Sequence, residues 1–250
     1  VFRVVIPARY GSTRLPGKPL LDVAGKPLLQ WVHERASRSG AAQIVIATDD
    51  ERIRRCAMDF GAEVQLTAAS HATGTDRIAE VAAQRGWKER EVVVNVQGDE
   101  PLIDPRLIDQ VAGLLLNHDE DMATLAAPVT GLEAFLDPNV VKVVTDLRGR
   151  ALYFSRAPVP WNRDAAPAGR ASQRDGSAGR RHIGIYAYRV AALRCLATLA
   201  PTPLEQIERL EQLRALENGL SIRVADALVP PGADVNTAED LRRVTELLRT

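Results

Sequence analysis

The chain has 250 residues, 46% of them hydrophobic and 26% charged, and its 32 Lys plus Arg balance 32 Asp plus Glu to a formal net charge of zero. That balance argues against any overall affinity for nucleic acid or an anionic membrane, so recognition of phosphate has to come from a local cluster. No apolar run has transmembrane length, no segment reads as a signal, and Cys56 and Cys195 lack the spacing of a disulfide framework or zinc site, which together point to a cytoplasmic protein.

"FRVVIP" reads as a buried strand, followed by a loop and then a helix from about Pro27 to Ser39, with Leu28, Leu29, Val32 and Ala36 on one stripe. "QIVIAT" is the next strand and "DDERIRRCAMDF" the next helix, closed at Gly61. "AEVQLT" gives a third strand and "TDRIAEVAAQ" a helix behind Gly74. "EVVVNVQ" is a strand that stops at "GDEP", and a helix over Pro105 to Asn117 follows. Strict β/α alternation argues for a doubly wound, mostly parallel sheet, whose ligands sit at the carboxyl ends of the strands.

The second half is less regular. "MATLAAPV", "VVKVVTD" and "ALYFSR" read as strands, with "DLRGR" a turn between the last two. Residues 162–180 lack any period and read as a mobile surface loop. "RRHIGIYAYR" resumes a strand, "TPLEQIERLEQLRALENG" reads as one helix stopped by Gly219, and "SIRV" leads to a last helix striped by Leu241, Val244, Leu247 and Leu248. With no repeat and no linker, residues 1–250 are expected to form a single domain with an inserted subregion.

The loop "IPARYGSTRLPGKPL" gathers Arg9, Arg14 and Lys18 around Gly11 and Gly17 at a strand end. Glycines let backbone N–H groups close on an anion, and the three cations suit a triphosphate, although a plain solvated basic loop has the same composition. The loop is neither a Walker A motif, since Pro19 follows Lys18, nor a dinucleotide fingerprint. "GDEP" sets Asp99 and Glu100 behind another strand, where a carboxylate can hold Mg²⁺ or simply cap a turn. In "HATGTDR", Arg77 and the backbone of Gly74 can reach a ligand, or Thr75 can cap the helix. His182 and Tyr186 share a strand face, while Glu205, Glu208 and Glu211 at helical spacing suggest a solvated face. Lysine is rare: Lys18, Lys26, Lys88 and Lys142 stand against 28 arginines, which marks places where a compact point charge suits better than a guanidinium fork.

Taken in order, "VVIPARYGSTRLPGKPL", "HATGTDR", "VVNVQGDEP", "NVVKVV", "ALYFSRAPVPW", "RHIGIYAYR" and "LEQLRALENG" resemble the 3-deoxy-manno-octulosonate (Kdo) cytidylyltransferases over nearly the whole chain. The resemblance implies a nucleotide-diphosphosugar-transferase-like (GT-A-type) α/β fold with an inserted dimerisation and sugar-side subregion. It also implies a homodimer, Mg²⁺ as cofactor, CTP and Kdo as substrates, and no nucleic acid or membrane partner. On the matching positions it places Ala8, Arg9, Gly11, Ser12, Arg14, Lys18, Gly74 and Arg77 around CTP, with Arg9, Lys18 and Asp99 catalytic. Gln97, Arg156, His182, Tyr186 and Glu211 match the sugar side, with Arg156 as partner of the Kdo carboxylate. Asp99 and Asn236 match the two metal ligands. Asn236 is a departure, since the family carries Asp in that triplet; it can ligate weakly or cap the last helix with Glu239. Alternatives are CMP transfer to an amino-substituted Kdo or to sialic acid, or a catalytically weakened nucleotide-binding homologue.

Overall fold

A computed structural model describes residues 1–11, 15–163 and 179–249. Ser12, Arg14 and most of the loop expected over 162–180 lie outside the described residues.

The chain starts with β1 (Phe2–Ala8), and a small hairpin of β2 (Asp22–Val23) and β3 (Lys26–Pro27) leads into α1 (Leu28–Ala36). Three β/α units follow: β4 (Gln43–Thr48) with α2 (Glu51–Asp59), β5 (Glu63–Leu66) with α3 (Gly74–Gln84), and β6 (Val92–Asn95) with α4 (Pro105–Asn117). Then come β7 (Met122–Pro128), the short α5 (Leu132–Leu136), β8 (Lys142–Thr145), β9 (Ala151–Ser155) and the long β10 (Arg180–Arg189). The chain closes with α6 (Val190–Thr198), α7 (Pro203–Glu208), α8 (Gln212–Glu217), β11 (Ile222–Asp226) and α9 (Ala238–Arg249).

The main sheet runs β11-β7-β10-β6-β1-β4-β5, with the β8–β9 hairpin joined to it through β10. Pairing is parallel from β5 to β6, and β10 enters antiparallel between β6 and β7. Strands buried on both faces read as continuous apolar runs, and β1 is such a strand. Val4 and Ile6 pack under α1, α2 and α4 on one side, while Val5 packs under α3, α6 and α8 on the other. A third, smaller core joins Val23 and Leu28 to Val235 and Val244 of the C-terminal segment. The expected doubly wound, mostly parallel sheet is therefore the observed one.

Several local expectations are corrected. The helix expected over "TPLEQIERLEQLRALENG" is two helices, broken where Arg209 takes a left-handed conformation (φ 53°). The three glutamates around that break are not a solvated face. Glu205 forms a sheltered ion pair with Arg214 (2.6 Å), Glu208 accepts from Ser155 Oγ (2.7 Å), and Glu211 accepts from Thr73 Oγ1 (3.2 Å). The cap of α3 is Thr73, in a reciprocal pair with Asp76, and Thr75 lies buried inside the first turn. Thr237 and Asp240 form the corresponding pair at α9, which relieves Asn236 of the capping role. Neither α5 nor α6 was expected from sequence.

Candidate active site

The first turn after β1 is pinched at its base, where Gly17 N–H donates to Tyr10 O (3.1 Å). Gly17 needs its positive φ of 67°, and a Cβ there would press on the Tyr10 ring at 3.0 Å. The Arg52 guanidinium covers that ring at 3.3 Å. The pinch aims Lys18 inward, where its Nζ donates to Asp99 Oδ2 (2.7 Å) and to Val235 O (2.8 Å). Val235 N–H in turn donates to Asp99 O (2.9 Å), so three distant loops meet at one point. Two glycines permit the approach. A Cβ on Gly98 would lie 3.0 Å from Pro7 O, and one on Gly232 would collide with the Leu102 carbonyl.

This point is rich in hard oxygen donors. Asn236 Nδ2 donates to Asp234 Oδ2, and Glu100 stands beside Asp99 and Asp234. Desolvation, reinforced by those two carboxylates, pushes the Glu100 carboxyl up to about 8. One of its oxygens is shut off from solvent with no hydrogen-bond partner. Among the described residues no three acidic, His or Cys side chains converge into a closed metal cage. One or two carboxylates beside an open cleft is the arrangement Mg²⁺ uses when substrate phosphates and water complete its shell, so the residues present fit that ion.

A cavity of about 250 Å³ opens next to this cluster, lined by Ala8, Arg9, Thr73, Gly74, Arg77 and Gln97 among others. Arg9 is exposed, and Gly74 begins α3 so close to Pro7 that a Cβ would sit 3.3 Å from its ring. Arg77 is buried and tied to Asp49 (3.1 Å) and Thr67, which fixes the loops after β4 and β5.

Gln97 also lines a second cavity of about 110 Å³, together with Asn95, Tyr186, Glu211 and Gln212. The pairing of Tyr186 with Asn95 across β10 and β6 brings these residues together. Burial pushes the Glu211 carboxyl up, and Asn95 Oδ1, Tyr186 Oη and Gln212 Nε2 are enclosed there without hydrogen-bond partners. His182 and Tyr186 do share a face, their rings 5.2 Å apart, although a bulge separates them in the ladder to β7. His182 Nε2 lies 2.9 Å from Thr124 Oγ1, whose hydroxyl proton goes to a carbonyl at Ile183 or Ile185. The hydroxyl therefore accepts from Nε2–H, leaving Nδ1 unprotonated. Desolvation lowers this imidazole to about 3, so it is neutral. Arg156 lines neither cavity, its Nε on Glu208 O (2.6 Å) and its Nη1 on Pro138 O (2.8 Å).

Of the residues expected from sequence, Ala8, Arg9, Gly74, Arg77 and Gln97 line the first cavity and Gln97, Tyr186 and Glu211 the second, while Arg156 and His182 line neither. Lys18, Asp99 and Asn236 gather at the loop junction. Gly11 is exposed on the first turn, and Ser12 and Arg14 lie outside the described residues. Sequence reading missed Asn95, Gln212, Thr73 and Gly232. The visible signal was an Asn inside the apolar run "VVVNV".

Residues 3–222 match the family described as Cytidylyltransferase. The chain belongs to that family. A 3-deoxy-manno-octulosonate cytidylyltransferase of Pseudomonas fluorescens is 57% identical over 248 residues, 99% of this chain and 98% of its own. One from Idiomarina loihiensis is 53% identical over 247 residues, 98% of each. The solved structure of a CMP:2-keto-3-deoxy-manno-octonic acid synthetase complexed with CTP is 39% identical, with a TM-score of 0.89 over 100% of this chain and 99% of its own. A Leptospira borgpetersenii cytidylyltransferase at 18% identity and TM-score 0.60 shares the fold. In this cytidylyltransferase, cations from the first turn, a carboxylate-rich junction and two cavities joined at Gln97 stand at one edge of the sheet. Such a site can hold a nucleoside triphosphate beside a polar acceptor.

Proposed function

We propose that this cytidylyltransferase transfers the CMP moiety of CTP to the anomeric hydroxyl of Kdo, releasing pyrophosphate and supplying activated sugar for lipopolysaccharide. The observation that carries this reading is the end-to-end likeness to relatives so named, combined with two adjoining cavities that share Gln97. The smaller cavity takes the sugar and the larger the nucleotide. The anomeric oxygen attacks the α-phosphorus, its proton passing to solvent, as the bond to the bridging oxygen breaks and pyrophosphate departs. Phosphoryl transfer of this kind needs positioning and charge neutralisation more than covalent help. Arg9 and Lys18 supply positive charge to the triphosphate, with Arg14, Ser12 and the Gly11 backbone assigned to the same task. Arg156 grips the sugar carboxylate with its planar fork, while Gln97, His182, Tyr186 and Glu211 read its hydroxyls.

Asp99, with Asn236 and Asp234 beside it, is where Mg²⁺ would be held. When bound, the ion would neutralise phosphate charge as a Lewis acid. Lys18 orients Asp99 through its 2.7 Å contact. The sheet draws strands from both halves of the chain, which supports reading 1–250 as one nucleotidyltransferase domain. Exposed Leu147, Leu152 and Ile207 on and beside the β8–β9 hairpin support a homodimer formed through that subregion. No helix among the described residues is long and apolar enough to cross a membrane, and a reaction that consumes CTP fits the cytoplasm.

The test is pyrophosphate release with CTP, Mg²⁺ and a panel of keto-acid sugars. Turnover is expected with Kdo. Equal turnover with sialic acid or an amino-substituted Kdo would overturn the sugar assignment, and none with any sugar would leave a nucleotide-binding homologue.

A further inference from the structure

Lys142 sits in β8 with no solvent exposure at all. Its three ammonium hydrogens go to three main-chain carbonyls: Asp137 O (2.9 Å), Val140 O (2.6 Å) and Arg156 O (2.8 Å). An enclosed ammonium is costly, and an apolar side chain of the same length would fill the space with less penalty. Three convergent acceptors suit a tetrahedral ammonium and not a planar guanidinium, which explains why an arginine-rich chain keeps a lysine here. The two segments it joins are the turn at 137–140 and the residue directly after β9.

The residue after β9 is Arg156, and its peptide is gripped from both sides. Its carbonyl takes the Lys142 hydrogen, while its N–H donates to Glu208 Oε2 (2.9 Å). The other Glu208 oxygen is fixed by Ser155 Oγ (2.7 Å) and Tyr153 Oη (3.3 Å). The guanidinium rests on carbonyls at the same two anchors, with Nε on Glu208 O and Nη1 on Pro138 O, inside the turn that Lys142 holds.

We propose that Lys142 and Glu208 form a backbone clamp that positions the Arg156 guanidinium for the carboxylate of the acceptor sugar. The clamp rests on the assignment of Arg156 given above. Both are positioning residues, since their polar atoms are taken up by the backbone at 137–140 and 156 and by the side chains of β9, and their loss acts on sugar binding and not on the nucleotide.

Steady-state kinetics on the full chain tests this, with the KM for Kdo and the KM for CTP measured separately. Lys142→Met and Glu208→Ala are each expected to raise the Kdo KM by about tenfold and leave the CTP KM within about twofold, as displaced positioning groups do. Glu208→Gln keeps an acceptor for the Arg156 N–H and restores most of the loss. Arg156→Ala raises the same KM, and adding Lys142→Met to it costs nothing further, because two residues acting through one contact are not additive. A selective rise with Arg156→Ala, but unchanged or equally raised KM values with Lys142→Met and Glu208→Ala, would overturn the clamp. Should Lys142→Met fail to fold, the Glu208 pair decides alone. An unchanged Kdo KM with Arg156→Ala would overturn the assignment of Arg156 itself, and the clamp with it.

Discussion

Lys18 and Asp99 lie 81 positions apart in sequence and 2.7 Å apart in space, so each is readable as the other's environment. Asp99→Asn keeps the shape and removes the charge, and kcat is expected to fall on the order of 10²-fold, as when one electrostatic stabiliser is lost. The pair is partly exposed, so the melting curve should stay within about 1 kcal/mol of wild type. Turnover and thermal melts on one preparation check both statements. Asn236 carries a second expectation. Its amide donates to Asp234, so Asn236→Asp replaces an attraction with a repulsion and adds a hard ligand. Half-maximal rate should then need less Mg²⁺, and Mg²⁺ should raise the melting temperature more than in wild type; Mg²⁺ titrations of both quantities measure this. The helix cap is unaffected because Thr237 provides it. His182 gives a pH dependence. Its folded-state value of about 3 lies below the ordinary 6.5, so the unfolded chain takes the proton first. The stability tied to the neutral ring is complete above about 6.5 and is lost as pH falls from there toward about 3. Melts of wild type and His182→Gln between pH 7 and 4 should converge as the pH drops.

At the scale of elements, strands and helices stabilised by their own apolar periodicity were legible. The helix over Pro105–Asn117 and the strand over Arg180–Arg189 fall where sequence pattern puts them. What escaped was set by partners far along the chain. Nothing in "IERLEQL" announces the break at Arg209, because periodicity does not show that the preceding Glu208 carboxylate is bonded to Tyr153, Ser155 and Arg156 of β9 and its exit. Likewise α6 starts directly from β10 at Val190 with no punctuating residue between them. Asn236 with Glu239 looked like a cap because the spacing of Thr237 and Asp240 is the same, one position on. The segment 227–236 shows what an element without regular structure can do. Gly232 passes so close to the Leu102 carbonyl that any side chain must push the backbone aside. Gly232→Ala should therefore shift Asp234 to Asn236 away from Asp99 and cut kcat by up to about 10²-fold, the cost of a misplacement near 1 Å. An unchanged circular dichroism spectrum alongside the kinetics would separate this from unfolding.

Seen as a whole molecule, the sheet was legible because alternation of strands and helices needs only local pattern, whereas the inserted position of β10 between β6 and β7 does not follow from it. The candidate site divides the same way. Arg9, Lys18 and Asp99 stood out as charges on two strand ends, but Gln97, Tyr186 and Glu211 meet only because β10 pairs with β6, and resemblance alone had grouped them. The tie of Val235 to both Lys18 and Asp99 has a consequence for what can be separated in this molecule. All strands among the described residues lie before residue 227, so the sheet does not need the segment that carries Val235. That segment braces the Lys18–Asp99 pair from outside the sheet, and architecture and chemistry can part company there. A chain stopped after Asp226 is expected to keep the circular dichroism of the sheet and to show no measurable turnover. A copy that has closed its sheet without docking this segment keeps the fold and lacks the brace on Lys18 and Asp99.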